Sequence, residues 1–318
     1  MDIIGIKKKV DTTISDPLVR NEARRYSLRT RLAFLPDHII GKSWFFRLLT
    51  LVYYYCYVYF HAFEIVGIEK IDPNQGCLFY ARHSTHNGEI LGTIVTMYHM
   101  TGRVLRSLIH RYLTPFFPIL RLMGAVPGEP KSATSLLKSG FWVAVVPGGA
   151  DEGMIGHENA YKVCWPKKRK GFAHIAVQAQ VPMVPLFLAN VDEMRWNPIL
   201  WLWNLLGLGR LFSYIRELDI PVLKPFILLL SSTVWFLVTF IQIPIPAKLT
   251  LYIGDPVQYD MSKDSIDDIV ERARNDLQSL INRHQPYGKS YSNAVKQRIQ
   301  CLTKYWNEKL SQGRSHKQ

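Results

Sequence analysis

The chain is short of several features that mark common protein classes. Its 318 residues include only four cysteines, Cys56, Cys77, Cys164 and Cys301, widely spaced and with no Cys-x-x-Cys pair. That spacing excludes a zinc ribbon or a dithiol redox motif and predicts free thiols on the reducing side of a membrane. No Asn-x-Ser/Thr sequon occurs, which agrees with a cytosol-facing chain. There is no Gly-x-Ser-x-Gly elbow, so a serine hydrolase built on that turn is excluded. A P-loop and a dinucleotide fingerprint are also missing. Residues 1–31 are charged and lack an apolar core, so they do not read as a secretory leader. Acidic residues are scarce, 25 against 39 Lys and Arg, and the net charge of +14 calls for an acidic partner. Nucleic acid, anionic lipid headgroups and a phosphorylated co-substrate would each satisfy it. The basic clusters at Lys7-Lys8-Lys9, 20–31 and Lys167-Lys168-Arg169-Lys170 are equally compatible with solvated faces.

What the chain does have is long uncharged runs. Residues 225–244 carry no charge, and a helix of about twenty apolar residues matches the bilayer core. Prolines at both ends also permit a re-entrant or interfacial lie, and a buried helix of a soluble core is the alternative. Residues 48–60 form a shorter apolar run rich in tyrosine, which suits the headgroup level. A third patch is Pro198-Ile199-Leu200-Trp201-Leu202-Trp203. These runs argue against nucleic acid and for a monotopic protein embedded in a lipid bilayer.

Strand-like runs at 77–81, 104–110, 142–146, 183–188 and 248–253 alternate with helix-like runs at 89–100, 131–139 and 171–179. The alternation predicts an α/β fold, a central mixed sheet flanked by helices, with active-site loops at strand ends. The expected organisation is a basic segment 1–43, a membrane-contacting helix 44–66, a domain 67–260 interrupted by an apolar insertion 198–246, and C-terminal helices 261–318. The latter are a charged helix over 262–284 and an amphipathic one over 294–310.

Two polar islands follow strand-like runs. The first is His83-Ser84-Thr85-His86-Asn87-Gly88-Glu89. On one continuous helix His83 and Glu89 would lie about 240° apart. They meet only if His83 lies in a turn before a helix that carries Glu89, and Asn87-Gly88 supports that turn. A carboxylate on one imidazole nitrogen raises the basicity of the other and makes a general base. The spacing of His83, His86 and Glu89 also allows three metal ligands, but no fourth ligand is visible and no metal is expected. The second island is Pro147-Gly148-Gly149-Ala150-Asp151-Glu152. A glycine pair after a strand lets backbone N–H groups reach an oxyanion or a phosphate, and ordinary tight turns use the same pair. Downstream, Lys168, Arg169 and Lys170 precede a helix start, a ready phosphate site.

These segments, in order, resemble the glycerolipid acyltransferase superfamily, which is lysophospholipid acyltransferase-like. The branch most similar is the one that contains transmembrane protein 68 and the type 2 diacylglycerol acyltransferases. The resemblance runs from about Gly67 to Asp260. It rests on His83…Glu89 as a His-x5-acid motif, and on the block from Arg111 to Gly128 with Pro115, Gly124 and Gly128. Val146-Pro147-Gly148-Gly149-Ala150-Asp151-Glu152 is similar to the P-G-G-A-x-E of the neutral-lipid branch. Arg169-Lys170-Gly171-Phe172 leads to Val181-Pro182-Met183-Val184-Pro185, and Ile253-Gly254-Asp255-Pro256 resembles the closing strand. The superfamily more often has His-x4-Asp; here the spacer is longer and the acid is Glu89. Arg82 stands before the histidine where an aromatic or small residue is usual.

The resemblance implies a membrane-bound O-acyltransferase, with catalytic His83 and Glu89 and no cofactor besides acyl-CoA as co-substrate. Pro147, Gly148, Gly149 and Glu152 are then expected at the oxyanion or acceptor, and Lys168, Arg169 and Lys170 at the phosphates of acyl-CoA. Phosphate-acceptor relatives resemble F-P-E-G-T-R-S, whose arginine grips the acceptor phosphate. That place falls here on Asp151, which repels phosphate, so the expected acceptor is a neutral glycerolipid or alcohol such as diacylglycerol or monoacylglycerol. A phospholipid-remodelling acyltransferase and a catalytically weak lipid-binding member of the fold are the alternatives. The implied location is the endoplasmic reticulum membrane, with the catalytic domain facing the cytosol.

Overall fold

The computed structural model describes residues 10–84, 88–109, 124–154, 159–166, 168–208, 241–260 and 262–315, with isolated positions between 211 and 233. After a helical turn at 10–13 come the short helices α1 (Pro17–Arg24), α2 (Leu28–Arg31) and α3 (Asp37–Lys42). Then α4 (Trp44–Tyr55) runs into a π-helical turn at Cys56–Phe60. The α/β body follows as β1 (Glu64–Val66), β2 (Cys77–Ala81), α5 (Gly88–Thr101), β3 (Arg106–Ile109), β4 (Val126–Pro127), α6 (Pro130–Lys138), β5 (Trp142–Val145), α7 (Gly149–Met154), α8 (Gly171–Ala179) and β6 (Met183–Ala189). A ribbon of β7 (Arg195–Trp196) and β8 (Ile243–Pro244) brackets the insertion, which opens with α9 (Pro198–Leu205). After it come β9 (Thr250–Ile253), α10 (Ile266–His284) and α11 (Tyr291–Ser315).

Seven strands form one sheet in the order β1-β9-β6-β2-β5-β3-β4. β2 pairs in parallel with β5 and β6, and β9 joins β6 antiparallel, so the sheet is mixed as expected. Every residue of β6 is buried, as are Leu78, Phe79 and Tyr80 of β2. That unbroken apolar character suits strands covered on both faces.

Element ends differ from the sequence expectation for local reasons. β3 starts at Arg106, two residues later than expected, and the Arg106 guanidinium donates to the Val104 carbonyl at 2.7 Å. α10 starts at Ile266 because Ser265 and Asp268 form a capping box, while Ser262 is bound back to Asp260. α11 begins at Tyr291, with the Ser290 hydroxyl accepting the Asn293 N–H. The helix expected to reach residue 66 ends near His61, and Glu64–Val66 instead pairs with β9. His110 and residues 111–123 lie outside the described residues, as does most of 225–244. Among the described residues no helix is long and apolar enough to cross a membrane.

The basic stretch 20–31 is partly consumed in docking. Arg31 and Arg24 both pair with Asp11, at 2.9 and 3.0 Å. Arg106, fully buried, donates to the Ala33 and Leu35 carbonyls and pairs with Asp37, pinning the N-terminal helices to the sheet. α4 is mostly apolar, with Arg47 exposed near its start. Phe46, Thr50 and Tyr57 point inward along this stretch, while Trp44, Leu48, Leu51, Val52, Tyr55 and Tyr59 are exposed.

Candidate active site

β2 and β5 run parallel, from Cys77 opposite Trp142 to Tyr80 opposite Val145. The loops that leave their C-terminal ends therefore emerge on one edge of the sheet. One carries Arg82, His83 and Ser84; the other carries Pro147, Gly148 and α7. β6, parallel to β2 on its other side, sends Asp192 and Glu193 to the same edge.

His83 and Glu89 meet there. Glu89 sits in the first turn of α5, where a helix dipole favours a carboxylate. Nδ1 of His83 lies 2.8 Å from Oε1 of Glu89, with that oxygen off the axis of the ring N–H. Both residues are buried, at 6% and 5% exposure. The Ser84 N–H donates to Oε1 at 3.0 Å and its hydroxyl donates to Oε2. Burial by itself lowers the affinity of the imidazole for a proton. The Glu89 contact and the charges of Glu89 and Glu152 outweigh burial, so His83 stands above its ordinary range. α5 is held in place by close packing. The Tyr57 hydroxyl donates to the Gly88 carbonyl at 3.0 Å, and a Cβ on Gly92 would lie 2.4 Å from the Tyr57 ring.

Arg82 turns inward. Its guanidinium pairs with Asp192 at 2.9 Å and lies 5.5 Å from the centre of the Tyr161 ring. Tyr161 donates to Glu193, whose other oxygen accepts the Ser290 N–H at 2.6 Å. Burial pushes Glu193 up to about 7. Sequence reasoning missed this network. The available signal was a lone arginine wedged between an apolar strand and the histidine, since a buried charge demands a partner.

The glycine turn is built differently from expectation. Pro147 and Gly148 are buried, and the Gly149 N–H, expected to face an oxyanion, donates to the Val146 carbonyl at 3.0 Å. Gly149 adopts φ +56°, and a Cβ there would lie 2.8 Å from Nη1 of Arg169. A Cβ on Gly148 would lie 2.3 Å from Oε2 of Glu152. The Glu152 carboxylate is buried beneath the turn, its Oε2 accepting the His83 N–H at 2.8 Å and its Oε1 the Cys164 N–H at 2.9 Å. Burial raises its pKa, against the pull of those two N–H bonds and of Arg82.

Of the three cations expected at the phosphates, Arg169 lies beside the glycine turn. Lys170 pairs with Asp267 of α10, and Lys168 is exposed. His86, Lys167 and the Asp151 side chain lie outside the described residues.

Comparison with known proteins gives a consistent family. The profile described as "Diacylglycerol acyltransferase" matches residues 92–292, more than half of the chain and starting just past Glu89. Proteins described as "DGAT1/2-independent enzyme synthesizing storage lipids" are similar to it. The Mus musculus protein is 28% identical over 228 residues, 71% of this chain and 61% of its own length. The Homo sapiens protein has the same identity and covers 62% of its own length, and that of Gallus gallus is 29% identical over 253 residues, covering 77% and 66%. The chain thus spans about three fifths of the length of the first two of these relatives. The crystal structure of the 1-acyl-sn-glycerophosphate (LPA) acyltransferase PlsC from Thermotoga maritima superimposes with a TM-score of 0.41 at 16% identity, covering 87% of this chain and 90% of that one. By the match over residues 92–292, the chain belongs to the diacylglycerol acyltransferase family.

Proposed function

We propose that the chain is an O-acyltransferase that moves a fatty acyl group from acyl-CoA to a neutral lipid alcohol at a membrane surface. The observation that carries this reading is the buried contact between His83 and Glu89 at the strand-end edge of the sheet. With Nδ1 facing Glu89, the other ring nitrogen, Nε2, is the one that takes the proton of the acceptor hydroxyl. The oxygen then attacks the thioester carbonyl. The Gly149 N–H is held by the Val146 carbonyl, so we assign the tetrahedral oxyanion to other backbone N–H groups of the glycine turn. Collapse expels the coenzyme A thiolate, which recovers the proton from His83, leaving an ester and a thiol. A base and two aligned substrates are all the chemistry needs. Arg169 is the cation best sited to meet the phosphates of acyl-CoA, with Lys168 nearby in sequence. Lys170 does so only by leaving Asp267.

Asp151, in the place of the acceptor-phosphate arginine, supports a neutral acceptor such as diacylglycerol. The outward apolar residues of α4, and Trp201, Leu202 and Leu205 on α9, support contact with a bilayer. The four free cysteines fit the cytosolic side, here assigned to the endoplasmic reticulum. The test is an assay of the purified protein with acyl-CoA and competing acceptors. His83→Ala should abolish ester formation while the protein stays folded and vesicle-bound, and substantial residual activity would remove His83 as the base. Preference for lysophosphatidate over diacylglycerol would overturn the neutral acceptor and favour phospholipid remodelling.

A further inference from the structure

The Gly-Gly turn and Glu152 form one device, and its target is the backbone of the histidine. Gly148 has no positive φ, so the turn geometry does not require a glycine there. Glycine is required because the side chain of Glu152 fills the space, with its Oε2, Cβ and Cδ between 2.3 and 2.5 Å from where a Cβ on Gly148 would stand. The carboxylate so admitted is 3% exposed and holds two backbone N–H groups from separate loops, those of His83 and Cys164. Gly153, next along α7, lies close to the imidazole; a Cβ there would stand in ordinary contact, 3.6 Å from Cγ and Nδ1 of His83.

We propose that Glu152 is a positioning residue for His83. It anchors the backbone of the base and places a second negative charge beside the imidazole, and it does not bind the acceptor. This deepens the acyl-transfer reading and rests on it. The charged groups facing the imidazole are Glu89 from α5, Glu152 from α7 and Arg82 from its own loop. Arg82 is committed to Asp192, so the two carboxylates outweigh it and raise the proton affinity of the ring. Glu89 meets the ring; Glu152 meets the main chain that carries it. The carboxylate also ties the β2 loop to the segment before Trp165, joining the histidine and the glycine turn into one rigid unit.

The experiment uses the full chain in vesicles, with kcat/KM measured against pH for the native protein, Glu152→Gln and Glu152→Asp. Removing the charge makes His83 easier to deprotonate, so the acid limb for Glu152→Gln should move to lower pH. The loss of an anchored N–H should cut kcat/KM at the optimum by about tenfold or more, mostly in kcat, with the KM for the acceptor little changed. Glu152→Asp keeps the charge and shortens the arm. It should keep the native acid limb while losing rate. An unmoved acid limb in Glu152→Gln, or a change confined to the acceptor KM, would overturn the proposal. If Glu152→Gln does not fold, the limb of Glu152→Asp decides: a downward shift despite the retained charge refutes the electrostatic role. His83→Ala run in parallel separates the two ideas. An active His83→Ala sinks the acyl-transfer mechanism itself, whereas an inactive His83→Ala beside a native-like Glu152→Gln sinks only this inference.

Discussion

Gly148→Ala adds one methyl group in a backbone conformation any residue can adopt, so its effect isolates packing from strain. The new Cβ would stand 2.4 Å from Cβ and 2.5 Å from Cδ of Glu152, as well as 2.3 Å from Oε2. The obstruction therefore includes the root of the side chain, and the carboxylate must leave its seat. That frees the N–H groups of His83 and Cys164. The buried His83 N–H left unpaired costs about 1–3 kcal/mol and the part-buried Cys164 N–H adds less, a sizeable part of the ~5–15 kcal/mol that stabilises a typical domain. Urea unfolding followed by tryptophan fluorescence in detergent would read the loss. The sharper assay is a double-mutant cycle with Glu152→Ala, which vacates the space. In that background Gly148→Ala should cost only a few tenths of a kcal/mol (about 0.5 or less), giving a coupling of about 1 kcal/mol or more. Additive effects, or a Gly148→Ala protein as stable as the native one, would refute the claim that Gly148 exists to admit Glu152.

Two other outcomes follow from the same geometry. Glu193 rises from an ordinary 4.5 to about 7 in the folded chain, so the native state holds its proton more tightly than the unfolded one. Its stabilising contribution is full below about 4.5 and is lost as pH rises through about 7, a difference of about 3 kcal/mol. Glu193→Gln should flatten the unfolding midpoint between pH 5 and pH 8, and an unchanged slope would assign the titration elsewhere. On α4, Leu48 and Leu51 are 53% and 43% exposed, so Leu48→Asp with Leu51→Asp should weaken vesicle flotation by about tenfold per residue without moving the unfolding midpoint. Undiminished flotation would exclude this face from the bilayer contact.

Much of the fold was legible because its strands are buried on both faces. Runs such as Cys77–Ala81 and Met183–Ala189 are continuously apolar and bounded by turn residues, and they appear as strands at nearly the expected positions. β1 was not legible. It has three residues and exists only because β9 lies beside it. The ribbon of β7 and β8 is likewise a tertiary product, pairing residues 195–196 with 243–244 across the insertion. At the site, the meeting of His83 with Glu89 could be inferred from their spacing and the Asn87-Gly88 turn. The partners of Arg82 and Glu152 could not, since Asp192 lies 110 residues away from Arg82 and His83 lies 69 from Glu152.

Local chemistry alone therefore determined which segments become strands, which residues carry a base and an acid, and where glycine permits a close approach. Those properties depend on a few neighbouring residues and their hydropathy. The folded sheet decided what each polar group faces. It brought three loops to one edge, committed the Gly149 N–H to Val146 and turned Glu152 under Gly148 toward the histidine backbone. A buried donor or charge must find a partner wherever the strand order puts one, and strand order is a property of the whole chain.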